Sequence, residues 1–181
     1  LGSGGAQRQL VTLARGMQKR GHSVEFFTYH PQNHYQPLLD EVGIHINQCC
    51  KRSRYSLVPL TALRKLIQHR RFDVMLSFLD TPNFYAEFSR PGCAQPPKLV
   101  VSERFMYPPG KLPLTLRLLQ ECHRLADAIT VNSHHQRIRM EQEFPWMKKK
   151  IRTIYNGIDL EIFKPMKATP SLDNNLHLLA I

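Results

Sequence analysis

The chain has 181 residues, 42% of them hydrophobic and 22% charged, which is enough for one domain with a real core and too apolar for a disordered segment. Its 25 Lys and Arg against 14 Asp and Glu give a formal charge of +11, a surplus that favours anionic partners: nucleic acid, an anionic membrane face or phosphorylated substrates. No apolar run approaches the roughly 20 residues that cross a bilayer, and no basic, then apolar leader opens the chain.

The four cysteines, Cys49, Cys50, Cys93 and Cys122, have neither zinc nor disulfide spacing, so a reducing cytoplasm is expected. Apolar Ala6, Leu10, Leu13, Ala14 and Met17 recur at helical spacing, and Gly21 stops the pattern, which predicts a helix over about Ala6 to Arg20. "HSVEFFTY" reads as a strand, and "PLLDEVGIHINQ" as a short helix and a brief strand. Leu60, Leu63 and Ile67 mark the next helix face, followed by the strand "DVMLSFL" and a short helix beginning near Pro82. After the loop "PGCAQPP" come the strand "KLVVSER", the helix "LPLTLRLLQECHRLA" and the strand "DAITVNS". Ser133 is placed to cap the helix "HHQRIRMEQEF", and "KIRTIYN" is a further strand.

Helices alternating with short apolar strands predict an α/β fold, a doubly wound, Rossmann-like parallel sheet covered on both faces. Ligands of such sheets bind at the carboxyl ends of the strands, so the residues after each strand are the place to look. Both ends look cut: the chain enters a helix without a preceding strand, and "NNLHLLAI" begins an apolar strand and stops.

Gly4 and Gly5 open the first helix, whose free N–H groups and positive dipole end suit an anion. The stretch "GSGGAQ" has Gln7 where GxGxxG needs its last glycine, and a linker scar is the plain alternative. Glu103 and Arg104 stand where a buried strand ends: a general base and a phosphate-holding guanidinium, or simply a surface ion pair. Asp80 has the same position after its own strand, with an N-cap as the other reading. His134 and His135 are adjacent and point about 100° apart on a helix, so no metal site is expected. His30 and His34 follow a strand end and either line the crevice or sit exposed in a loop. Trp146 beside Lys148 to Lys150 is a solvated turn, a membrane or lipid-phosphate contact helped by Phe144 and Met147, or a nucleic-acid contact. Asn156–Gly157 is a turn after the last strand.

Taken in order, "GGAQRQLVTLARGMQKRGHSVEFFT", "FDVMLSF", "VVSERF", "ADAITVNSHHQRIRM" and "IRTIYNGIDLEIFKP" resemble the N-terminal domain of glycosyltransferase family 4, retaining enzymes of the GT-B fold. The resemblance implies an acceptor-side Rossmann-like domain over residues 1–166, its first strand missing, and a linker with the first strand of an absent donor domain over 167–181. It implies transfer of a sugar from a nucleotide-sugar to a phosphate-bearing or lipid-linked glycan acceptor, with no metal, no cofactor and no nucleic acid. The isolated piece is then expected to be inactive. Gly4 and Gly5 match the loop near the donor diphosphate, and Ser133 and Asn156 match strand ends lining the cleft. Glu103 and Arg104 fall where many members carry a histidine close to the reaction centre, so the two are the expected catalytic positions. The charge then suits a cytoplasmic enzyme held peripherally on an anionic inner membrane face. Two other readings remain: a Rossmann-like nucleotide or nucleic-acid binding module, and a non-catalytic membrane-associated interaction domain.

Overall fold

The computed structural model describes residues 2–51, 53, 55–105, 112–160 and 163–164. The expected linker and second-domain strand over 167–181, and part of the helical reading "DLEIF", lie outside the described residues. The elements follow in the order α1 (Gly5–Lys19), β1 (Glu25–Thr28), α2 (Gln36–Asp40), β2 (His45–Gln48), α3 (Val58–His69), β3 (Val74–Phe78), α4 (Asp80–Ser89), β4 (Lys98–Glu103), α5 (Leu114–Cys122), β5 (Ala128–Val131), α6 (His134–Glu143) and β6 (Ile151–Thr153). Short 3-10 turns, His123–Leu125 and Pro145–Lys149, precede β5 and β6. All ladders are parallel, as helical crossovers require.

The helices form where the pattern predicts them. In α1, Val11 and Ala14 are buried, three residues apart on one face, and Gly21 follows at φ 85°, a left-handed stop that glycine takes without strain. In α3, Leu63 and Ile67 are buried at helical spacing together with Pro59. Ser133 caps α6 by accepting from the Gln136 N–H at 3.1 Å.

One detail differs from expectation. Helix α4 begins at Asp80 itself, so Asp80 is its first residue rather than its cap. The cap position falls to Leu79 at φ 76°, the one non-glycine residue with positive φ among the described residues. Such a conformation, with ψ at 156°, lies outside the left-handed helical region and costs about 1–3 kcal/mol. It is held from both sides: Leu79 N–H donates to Ser102 O at 3.1 Å, and Asn83 N–H donates to Leu79 O at 2.9 Å.

The sheet is in two pieces. Strands β3-β4-β5-β6 form one, β1-β2 the other, and no ladder joins β1 to β3 among the described residues. Each piece has its own core. Leu99, Val101, Ile129, Val131, Met147 and Ile151 fill the four-stranded part, while Val11, Phe26, Leu39 and Ile44 fill the smaller one. The pieces are tied by the Arg70–Glu25 ion pair and by Tyr29 against Tyr85, edge to face at 5.3 Å. On the two strands that do not meet, Thr28 Oγ1 and Ser77 Oγ are buried without a hydrogen-bond partner.

Candidate functional site

Parallel strands deliver their carboxyl ends to one edge of the domain, and residues at the ends of β3, β4 and β6 meet there. Arg104 is the centre of this cluster. Its Nε–H donates to Ser102 Oγ at 2.8 Å and its Nη1–H donates to Asn156 Oδ1 at 2.7 Å. The guanidinium lies 4.1 Å from the centre of the Phe78 ring, at the end of β3. Three strand ends thus hold one cation in place, and half-burial pulls its pKa below the ordinary arginine value.

Helix α1 reaches the same edge. Gln9 Nε2 donates to Gly157 O at 2.9 Å, and Gly157 N–H donates back to Gln9 Oε1 at 3.0 Å. This two-way bond ties the first turns of α1 to the Asn156–Gly157 turn. Arg8, next to Gln9, stands over the Phe163 ring at 5.2 Å. Gly4 precedes the helix in extended backbone, φ −69° and ψ 160°, and no side chain caps the first turn. A side chain at Gly5 would meet open space, and one at Gly4 would meet only the movable end of Gln7. The glycines are therefore not demanded by backbone geometry; what they leave, among the described residues, is a helix end without a side-chain cap on the Gly157 side of the cluster.

Glu103 goes the other way. Only 1% exposed, it points into the domain, with Oε1 accepting from Asn83 Nδ2 at 2.9 Å and from His123 Nε2 at 3.0 Å, and Oε2 accepting from Gln120 at 3.2 Å. His123 Nδ1 donates in turn to Glu87 Oε1 at 2.5 Å. Burial disfavours charge on His123, but the hydrogen bonds and charges of Glu103 and Glu87 outweigh it and raise its pKa to about 9. Burial likewise works against the Glu103 carboxylate, and His123, Gln120 and Asn83 together hold it below the usual carboxylate range. Burial pushes Glu87 up, against the pull of the imidazolium. An imidazolium clamped between two acidic side chains thus locks α4 and the start of the turn after α5 under the end of β4.

The alternative reading of Glu103 and Arg104 as a surface ion pair does not hold: adjacent along a strand end, the two side chains leave on opposite sides, as the two-residue period requires. Arg104 and Asn156, expected separately, meet directly. Ser133 spends its hydroxyl on the α6 cap, and Gln136 of that helix donates to Phe105 O at 3.1 Å, holding the backbone next to Arg104. His30, His34, His134 and His135 are exposed. Among the described residues no group of three His, Cys, Asp or Glu side chains is placed to hold a metal ion. Phe144 and Met147, expected to offer apolar atoms to a membrane beside Trp146, are buried in the core instead.

Gln9 and the partners of Glu103 went unseen in the sequence. Asn83 and Glu87, four apart on the one helix that also buries Tyr85 and Ala86, were the available signal: a polar pair on a buried face.

The chain spans half or less of the length of the proteins it resembles. It is 28% identical over 178 residues to an N-acetylgalactosamine-N,N'-diacetylbacillosaminyl-diphospho-undecaprenol 4-alpha-N-acetylgalactosaminyltransferase of Campylobacter jejuni, covering 89% of this chain and 47% of that protein. It is 34% identical over 109 residues to a second Campylobacter jejuni enzyme, a GalNAc-alpha-(1->4)-GalNAc-alpha-(1->3)-diNAcBac-PP-undecaprenol alpha-1,4-N-acetyl-D-galactosaminyltransferase, covering 57% of this chain and 30% of that one. Its fold superposes on Anabaena Alr3699/HepE, solved with UDP and glucose and with UDP-glucose, at a TM-score of 0.72 and 18% identity, over 93% of this chain and 44% of that one. The Glycosyltransferase Family 4 profile matches residues 3–162. With a parallel Rossmann-like sheet of the kind that forms the N-terminal half of GT-B enzymes, and with its strand-end cluster inside the matched region, the chain belongs to glycosyltransferase family 4.

Proposed function

We propose that this chain is the acceptor-side domain of a retaining glycosyltransferase that moves a sugar from a nucleotide-sugar to a lipid-linked glycan. The observation that carries the reading is the Arg104–Asn156 pair, a fixed cation at the strand ends on the edge that also receives the N-terminal end of α1 through Gln9 and Gly157. A departing nucleoside diphosphate develops negative charge, and preorganised donors and dipoles stabilise it with no reorganisation at the moment of transfer. Arg104 and the first-turn N–H groups behind Gly4 and Gly5 supply such donors, with Asn156 orienting the guanidinium. Glu103 acts as a positioning residue in this scheme, because both its oxygens are committed inside the domain.

Two curated relatives whose names state undecaprenol-diphosphate saccharides as acceptors support the lipid-linked class, and the UDP-glucose complex of a neighbour in fold supports the donor class. The donor-side domain, and a strand that leads into α1 and takes the place between β1 and β3, belong to the rest of the protein. The strand order 2-1, gap, 3-4-5-6 supports this, since a doubly wound sheet keeps its first strand in the middle.

The test is Arg104→Ala in the complete enzyme, with a UDP-sugar and a short polyprenyl-diphosphate saccharide. We expect turnover to fall by about 100-fold or more, far beyond what the loss of about 1–2 kcal/mol of stability from its two hydrogen bonds explains, with the enzyme still folded at the assay temperature. Wild-type turnover would remove Arg104 from the reaction. Proton NMR of the product tests the stereochemistry: an α-linked product from an α-linked donor fits retention, and a β-linked one overturns it.

A further inference from the structure

Helix α5 is apolar on the wrong side. Its inner face is occupied: Gln120 is buried, and His123 in the following turn is 2% exposed. Yet Leu114, Leu118 and Leu125 are 71%, 57% and 42% exposed. With half-buried Cys122 between them, they fall at successive helical turns and form one stripe facing away from the core. A surface helix ordinarily turns charge to that side, and an outward apolar stripe rimmed by polar residues marks a surface that something else covers.

Cations flank the stripe. Arg117 lies along its edge and is exposed. Arg124 is also exposed, and its guanidinium stands 4.5 Å from the centre of the Trp146 ring. Exposed Lys148 and Lys149 follow Trp146 in the same short turn, and Lys150 Nζ bonds Arg124 O at 2.8 Å, which fixes that turn against the end of α5. The neighbouring acid, Glu121, is tied to Arg124 at 2.7 Å.

The geometry points to this stripe as the surface by which the protein lies on an anionic lipid bilayer, leucines between the acyl chains and the flanking cations among the headgroups. That division of apolar and basic residues is the one interfacial helices use. A second copy of the chain fits less well. A two-fold contact on the stripe would set Arg117, Arg124 and the lysines against their own copies, and three leucines bury too little area for a stable dimer. The sequence turned attention to Phe144 and Met147 beside the lysines; those side chains are core, and the apolar part of the surface comes from α5. The helix begins on the same edge of the sheet as Arg104, so a bilayer along α5 brings a lipid-linked glycan to that edge. This last step rests on the function proposed above; the binding itself does not.

The experiment measures vesicle binding without donor or acceptor, so it can fail while the transferase reading stands, and the reverse. The purified protein is sedimented with vesicles of phosphatidylglycerol and phosphatidylcholine, and with phosphatidylcholine alone. We expect binding to the anionic vesicles, weakened by salt and reduced roughly tenfold in Leu114→Gln/Leu118→Gln, with circular dichroism unchanged. Arg117→Glu/Lys148→Glu/Lys149→Glu should lose the salt-sensitive part. Should the leucine variant fail to fold, a bimane on Leu118→Cys in a protein whose four native cysteines are changed to serine reports directly: quenching by brominated lipid is expected. Any of four results overturns the proposal: no binding, equal binding to neutral vesicles, no quenching at position 118, or a concentration-dependent dimer that the leucine variant dissolves.

Discussion

The two-stranded and four-stranded parts of the sheet are made from the same repeating unit and held in different ways. In the four-stranded part, β4 is flanked on both sides, and beneath its end lie Glu103, His123, Glu87, Asn83 and Gln120, all nearly solvent-free. In the two-stranded part, polar ties sit at the surface. Arg15 and Glu41 pair at 2.9 Å with exposures of 27% and 61%, and Arg70 of the pair with Glu25 is half exposed. A buried charge without its partner has no water to fall back on, whereas an exposed one does. The contrast teaches which ties the domain depends on. It also puts the buried, hydrogen-bonded carboxylate–imidazole network next to Arg104.

The largest effect should follow from His123→Ala. It leaves two acidic groups facing each other in the core and opens a cavity, and we expect a loss of about 3–5 kcal/mol in urea unfolding. If the four-stranded part tolerates this change as easily as a surface one, the contrast is broken.

The pH profile sharpens the same point. His123 has its pKa raised from 6.5 to about 9 in the folded chain, so its stabilisation is fully present below pH 6.5 and is lost as pH rises through 9. The span corresponds to on the order of 3 kcal/mol. Glu103, held below its ordinary value, works in the other direction: its contribution is present above pH 4.5 and is lost as pH falls through the lowered value. Unfolding midpoints measured from pH 5 to pH 10 should therefore fall above neutrality, and His123→Ala should flatten that fall. A profile identical in the two proteins would deny the imidazolium its place.

Gln9→Ala is expected to be intermediate. It removes the two bonds to Gly157 across an exposed joint and should cost about 1 kcal/mol. Amide hydrogen exchange at Gly157 should speed up, while exchange in β4 stays slow. Glu41→Ala is the smallest, below about 0.5 kcal/mol by the same unfolding measurement, because Glu41 is 61% exposed and water screens its pair with Arg15. A loss from Glu41→Ala that matched the one from Gln9→Ala would erase the ranking.

Much of this was legible in the chain. Periodicity located the helices because the spacing of Leu63 and Ile67 is a local property, and Ser133 signalled a cap because the group it serves, Gln136 N–H, is three residues away. Strand ends could be named as site positions, which brought Arg104 and Asn156 into view. Their meeting could not be read, since 52 positions separate them, nor could the Gln9–Gly157 tie across 148. Glu103 looked like a catalytic base because a strand end offers two directions, and only the packing of α4 and α5 decides which one a side chain takes. Phe144 and Met147 looked like surface because charge surrounds them in sequence; the 3-10 turn at Pro145–Lys149 turns them inward and the lysines outward.

By itself, then, the sequence determined the order of elements, the α/β class, the family and the two residues that meet at the strand ends, because each depends on short-range spacing or on motifs that are contiguous in the chain. The tertiary structure decided the meeting of Arg104 with Asn156, the burial of the Glu103–His123–Glu87 network and the outward stripe of α5. Each of these depends on which elements become neighbours, and that is set by strand order and helix packing across long separations.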